Sequence, residues 1–389
     1  MRNLRERLRA VTSVGNAPNS EPAPKAEPYF CREQIIPISE LSGIEHVTID
    51  DILAIDPLFQ GERWNLRRVL FLDTETTGLS GGAGTVAFEI GLGFIEPRGM
   101  IIRQYVMRDY SEEAAMLCEI ASLLQGFDTI VTFNGKTFDL PLLESRMVMS
   151  RIRLSITKMP HLDLLHAARR VYKLRLKRCN LASLEEAVLG QHRADDLPGS
   201  QVPQRYFDYI RTREFTLLED VLRHNFDDVK SLAKLTGHLC AAFRKPESLL
   251  YPEDILGVGK TLMRSGRVHR ARSCFKIIGR SSLAADAHMH LAVSYKKARE
   301  WDAVVSSCQE MIYEGVGGIW PYIELSKYFE HIERDIPRAL HYAVGALQYA
   351  LNMRLISCAD EEQLQQIRRR IERLQNKQKR LRDKQILEE

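Results

Sequence analysis

The chain has 389 residues and a formal net charge of +4, with 44% apolar and 27% charged residues. That composition is ordinary for a soluble globular protein with room for two or three domains, and so mild a charge does not by itself point to nucleic acid. No apolar run approaches the roughly 18–20 residues that span a bilayer, and no apolar segment follows the basic start to make a secretory signal. The seven cysteines are scattered singly, which suits reduced thiols in a cytoplasmic protein and argues against a structural zinc site.

Residues 11–28 are rich in Pro, Ala and Ser, so the first 45 residues read as a disordered leader and lead-in. Residues 46–245 read as one mixed domain. Strands are expected at 68–74, 85–95, 100–107 and 129–133. Ser111 is the expected cap of a helix that ends near Leu124, with Glu112 and Glu113 in its first turn. A longer helix is expected over 216–239. Three strands in meander order, then helix, strand and further helices, predict an α+β fold with one mixed sheet.

From about residue 249 the strand pattern stops and short amphipathic helices take over. Ala271, Ala303 and Ala339 recur at spacings that bracket the roughly 34-residue period of tetratricopeptide helix pairs. Residues 250–355 are therefore expected to form an all-α helical repeat. Residues 356–389 read as one charged helix, with Leu364, Ile367, Ile371, Leu374 and Leu381 in a narrow apolar stripe that suits packing on the repeat or a short coiled coil. Its many basic residues read as a solvated face in preference to a nucleic-acid contact.

Three segments carry chemistry. In the first, Val69-Leu70-Phe71-Leu72-Asp73-Thr74-Glu75-Thr76-Thr77-Gly78, two acids stand two residues apart in an apolar strand. They share a face, so each resists ionisation unless a cation lies between them. The glycines at 81, 82 and 84 permit a tight turn, but no phosphate loop follows. In the second segment, a strand ends at Asn134-Gly135, and Phe138 and Asp139 open a helix. In the third, His224 and Asp228 lie one helical turn apart on a common face, which favours Asp228 over Asp227 as the paired acid. Asp163, between the second and third segments, reads equally as a site residue or a helix cap. The run from Arg169 to Arg178 holds six cations in ten residues, and reads evenly as a phosphate track or a solvated amphipathic helix. Tyr172 or Phe138 could stack on a terminal base.

In this order, Asp73-x-Glu75, Asn134-x-x-x-Phe138-Asp139 and His224-x-x-x-Asp228 resemble the three exonuclease motifs of the DEDD 3′–5′ exonuclease superfamily, whose members share the ribonuclease-H-like fold. The block from Phe71 to Thr85, Asp196-Leu197-Pro198-Gly199 and the segment from His224 to Val229 are similar to the YprB-like ribonuclease-H-like family, in which tetratricopeptide-like repeats often follow the nuclease domain. The resemblance is close over about residues 70–235 and loose over the repeats. It implies a ribonuclease-H-like mixed sheet with flanking helices, followed by the helical repeat. It also implies a metal-dependent 3′–5′ exonuclease acting on DNA or RNA, with a single-stranded 3′ end as the expected substrate. Asp73, Glu75, Asp139 and Asp228 would hold two divalent cations, Mg²⁺ or Mn²⁺. His224 stands where the tyrosine branch of the superfamily has its tyrosine. Two roles are open to it: orienting or deprotonating the attacking water, or a structural contact with Asn225 or the backbone. Thr76, Asn134, Phe138, Arg169, Arg170 and Lys173 are the candidate substrate contacts. The competing readings are an interaction scaffold, with the repeats recruiting a protein partner, and a ribonuclease-H-like endonuclease. No membrane contact is expected.

Overall fold

The computed structural model describes residues 28–41, 43–78, 84–193, 197–279, 281–354 and 361–388. The expected leader at 11–28 lies outside them except for Pro28, and so do Gly81, Gly82 and Asp196. The strands are β1 (Phe30–Ile36), β2 (Val69–Thr76), β3 (Ala87–Glu96), β4 (Gly99–Val106), β5 (Thr129–Thr132) and β6 (His161–Asp163). They form one sheet of six strands in the order β1-β4-β3-β2-β5-β6. β2, β3 and β4 make an antiparallel meander, β1 adds antiparallel to β4, and β5 and β6 run parallel beyond β2. The sheet is therefore mixed, as its element order predicts.

β1 falls inside the segment that composition assigns to the leader and lead-in. Its run Arg32-Glu33-Gln34 hides the strand, because an edge strand keeps polar side chains facing out. Those side chains are paired: Arg32 with Glu219 at 2.8 Å, and Glu33 with Arg103 at 2.7 Å.

The helices of this part are α1 (Ile49–Ile55), α2 (Glu113–Leu124), α3 (Asp139–Met149), α4 (Leu164–Tyr172), α5 (Leu181–Ala187), α6 (Val202–Thr212) and α7 (Glu219–Arg244). α2 is not capped by Ser111. Asp109 accepts from the Ser111 amide at 3.3 Å and opens a single 3₁₀ turn, from which α2 continues. Side chains of β2 alternate between two cores. Val69 and Phe71 pack with Val229 and Leu232 of α7. Leu70 and Leu72 pack with Met116 and Ile120 of α2 and Leu140 and Leu143 of α3. The alternation carries Asp73 and Glu75 onto the face that α7 covers.

The rest of the described chain is helical: α8 (Pro252–Arg264), α9 (Val268–Ile278), α10 (Ala284–Lys297), α11 (Trp301–Tyr313), α12 (Trp320–His331), α13 (Ile336–Arg354) and α14 (Glu361–Glu388). Each packs against the next. Ala271 and Ala339 are fully buried, whereas Ala303 is half-buried and its neighbour Val304 takes the inner position. α8 lies directly on α4: a Cβ added to Gly257 would stand 2.5 Å from the Val171 carbonyl oxygen. In α14, Leu364, Ile367 and Leu374 are buried, while Leu381 is exposed. Arg370, Arg373 and Lys377 converge on the buried Glu330 of α12 at 2.9, 2.7 and 3.6 Å. Arg370 is drawn inward by that acid, whereas Arg373 and Lys377 reach it from the solvated face that composition suggests. Among the described residues no helix is long and apolar enough to cross a membrane.

Candidate active site

The site is assembled where α7 crosses the sheet. Asp73 pairs across the ladder with Gly91, and Glu75 with Glu89. The glycines of β3 set how close the helix can come. A Cβ on Gly91 would fall 2.1 Å from Asn225 Oδ1, and one on Gly93 would fall 2.6 Å from Val229 Cγ1. This notch lets α7 bring His224, Asn225 and Asp228 onto the two strand acids. Asn225 is wholly buried and donates from Nδ2 to Asp73 Oδ2 at 3.0 Å.

Asp139 arrives from the other side, at the start of α3, and accepts from the Thr74 hydroxyl. The loop before it is held by Asp163, whose carboxylate accepts from the amides of Asn134 at 2.8 Å, Lys136 at 3.2 Å and Leu165 at 3.1 Å. Of the two roles open to Asp163, the structure places it as the helix cap and loop clamp. Gly135 is required by closeness, since its Cβ would lie 2.4 Å from Thr132 Oγ1.

The imidazole of His224 faces the acids. Its Nε2 stands 3.8 Å from Glu75 Oε1 and 3.8 Å from Asp228 Oδ2. Asp228 also pairs with Arg193 at 2.5 Å, and Arg193 in turn contacts the buried Glu185.

Crowding and burial keep these carboxyls reluctant to ionise. Asp73 is pushed well above the usual range, first by burial and then by Asp228 and Asp139. Glu75 is pushed well above it too, by burial and then by Asp73. Asp139 rises to about 6, chiefly through burial, with the Thr74 hydrogen bond opposing. Asp228 also rises through burial, against the pull of His224 and Arg193. A fifth acid, Glu89, is pushed up to about 8 by burial while Gln104 Nε2 donates to it at 2.9 Å. Buried acids with this much unrelieved repulsion fit a hard divalent cation, whose ligands are carboxylate oxygens.

Asp73, Glu75 and Asp139 line a cleft of about 660 Å³ together with Thr76, Phe133 and Phe138. Thr76 donates to the Gly78 carbonyl at 2.8 Å, and Phe138 is half-exposed at the rim. Asn134, Arg169 and Lys173 line a neighbouring trough instead. Arg170 turns away, donating to the Ile55 carbonyl at 2.7 Å, and Tyr172 is buried, so neither reaches either concavity. Glu89, Gln104, Arg193 and Glu185 were not legible as site residues. Glu185 had one signal: it follows Leu181 by one helical turn, an acid on an apolar face.

The family described as the RNase_H superfamily matches residues 70–240 of the chain. The uncharacterized protein YprB of Bacillus subtilis (strain 168) is 31% identical over 373 residues, covering 90% of this chain and 87% of that protein. A family B DNA polymerase from the archaeon Pyrobaculum calidifontis aligns at 16% identity and a TM-score of 0.32, over 56% of this chain and 30% of the polymerase, a likeness too low to carry an argument. With the family matched from β2 through most of α7, and a relative matched over 90% of the chain, the chain belongs to the ribonuclease H superfamily as a relative of YprB.

Proposed function

We propose that this chain is a divalent-metal-dependent nuclease, and specifically a 3′–5′ exonuclease of the DEDD type acting on DNA or RNA. The observation that supports it is the convergence of Asp73, Glu75, Asp139 and Asp228 from β2, α3 and α7, with Arg193 at Asp228 and His224 beside Glu75 and Asp228 as the basic groups that meet them among the described residues. These four acids would hold two ions, Mg²⁺ or Mn²⁺, which when bound supply an acidified water and neutralise charge on the leaving oxygen. Asn225 fixes the orientation of Asp73 through its 3.0 Å hydrogen bond. His224 Nε2, facing Glu75 and Asp228, would take a proton from the attacking water. Arg193 holds Asp228 and Glu185 in place. Thr76 and Phe138 would contact the terminal nucleotide. The helices α8–α13 would form a tetratricopeptide-like surface for a protein partner.

The test is digestion of end-labelled single-stranded DNA and RNA with Mg²⁺ or Mn²⁺, beside an Asp73→Ala/Glu75→Ala control. A ladder shortening from the 3′ end supports the proposal. Internal cuts favour an endonuclease on the same fold. Activity no greater than the control sinks both and leaves the scaffold reading.

A further inference from the structure

The six cations between Arg169 and Arg178 do two different jobs. Arg170 and Arg175 are internal ties. Arg170 Nη2 donates to the Ile55 carbonyl at 2.7 Å, and Arg175 pairs with Asp254 of α8 at 2.8 Å while lying 4.2 Å from the centre of the Tyr251 ring. The other four, Arg169, Lys173, Lys177 and Arg178, are exposed and have no ion pair among the described residues. All four line one trough of about 580 Å³, together with Phe133, Asn134, Asn180 and Leu181. Phe133 also lines the carboxylate cleft, so it is the wall the two concavities share.

Four like charges around one recess repel each other, and no acid of the described chain offsets them there. Elsewhere the protein pairs its arginines freely, as at Arg32, Arg103, Arg146 and Arg244. The unpaired set is thus matched to an anion from outside. A mononucleotide or dinucleotide centred on the carboxylates has no further phosphates to offer this trough. A longer strand does, because its neighbouring phosphates continue past Phe133. A recess of this volume takes roughly one or two nucleotides of a single strand and is too small to enclose a duplex.

We propose that this trough is the track for the strand that enters the carboxylate cleft, so that the substrate is a single-stranded polynucleotide and not a dinucleotide. This rests on the nuclease reading above, but it is tested by binding alone. The probe is a 5′-fluorescein 12-nucleotide single strand, DNA and RNA in turn, beside a labelled dinucleotide and a 12-base-pair duplex. Anisotropy is read on the full-length Asp73→Ala chain in chelator at several salt concentrations. Lys173→Glu/Arg178→Glu should weaken the 12-mer by about tenfold or more and lower the salt slope by roughly 0.7 for each cation removed. Lys173→Arg/Arg178→Lys should bind as the parent does, and Lys173→Gln/Arg178→Gln should fall between. Melting temperatures show that each variant is folded. Unchanged 12-mer affinity and salt slope in folded charge-reversed chains overturn the proposal. So does equal weakening of dinucleotide and 12-mer, or tighter binding of the duplex than of the single strand. If the trough binds as expected while the unsubstituted chain digests nothing, the nuclease reading falls and the trough stands.

Discussion

Glu89 faces Glu75 across the strand ladder, and burial lifts it from its ordinary 4.5 to about 8. The folded chain therefore keeps a proton that the unfolded chain releases as pH rises through that interval. Its contribution to stability is greatest below the lower value and is lost by the upper one. Asp73, Glu75 and Asp228 are shifted the same way, so they add to the trend. In chelator, the melting temperature should fall as pH rises from about 5 to about 8. Glu89→Gln keeps the shape, cannot ionise, and should flatten part of that fall. Thermal melts in half-unit pH steps check both, and a pH-independent melting temperature would contradict the electrostatic account of the site. Mg²⁺ should raise the melting temperature more at pH 8 than at pH 5, and Asp73→Ala should remove that gain.

At the scale of elements, the site depends on how closely α7 approaches β3. Gly91→Ala drives a methyl group into Asn225 and Val229, contacts of 2.1 and 2.8 Å that require Asn225 to leave Asp73 or the helix to shift. The expected cost is about 1–3 kcal/mol in denaturant unfolding, with loss of activity beyond what stability explains. Activity equal to the parent at the same melting temperature would show that α7 can back away without harm. Arg175→Ala leaves the buried Asp254 without its partner, for a loss of about 3 kcal/mol, and should not change nucleic-acid affinity. The pairing of α7 with the strand acids was legible because periods of two and of 3.6 residues fix which side chains share a face. Asp73 with Glu75, and His224 with Asp228, are arguments about spacing alone. The glycine notch, the tie from Gln104 to Glu89, and the Arg193 pair join residues far apart in sequence, and no local period carries them. Arg169 and Arg170 show the limit plainly. They are adjacent in sequence, yet the roughly 100° turn of the helix between neighbours sends one to the trough and the other to α1.

For the whole molecule, the boundary near residue 249 is a change of composition and not a gap in the packing. One apolar cluster runs through Val171 and Tyr172 of α4, Leu239 and Phe243 of α7, and Ile255, Leu256 and Val258 of α8. The leader and lead-in assignment, in turn, ran too far into the packed chain, because Leu41 and Ile44 lie inside it yet belong to that cluster, which the polar strand before them obscures. Scanning calorimetry of the full chain should therefore show α8 melting together with the sheet. A chain ending at Arg244 should melt at lower temperature and bind apolar dyes, since it uncovers the inner side of α4. A first transition that leaves the sheet intact after α8 has unfolded would count against this. The close seating of Gly257 on the Val171 carbonyl has a consequence for cooperativity. α4 and the segment that follows it present Arg169, Lys173, Lys177 and Arg178 to the trough, while Val171 of α4 carries the first helix of the C-terminal region. A force or ligand that displaces α8 thus acts on the same rigid bar that would hold an incoming strand, which makes the two regions one mechanical unit.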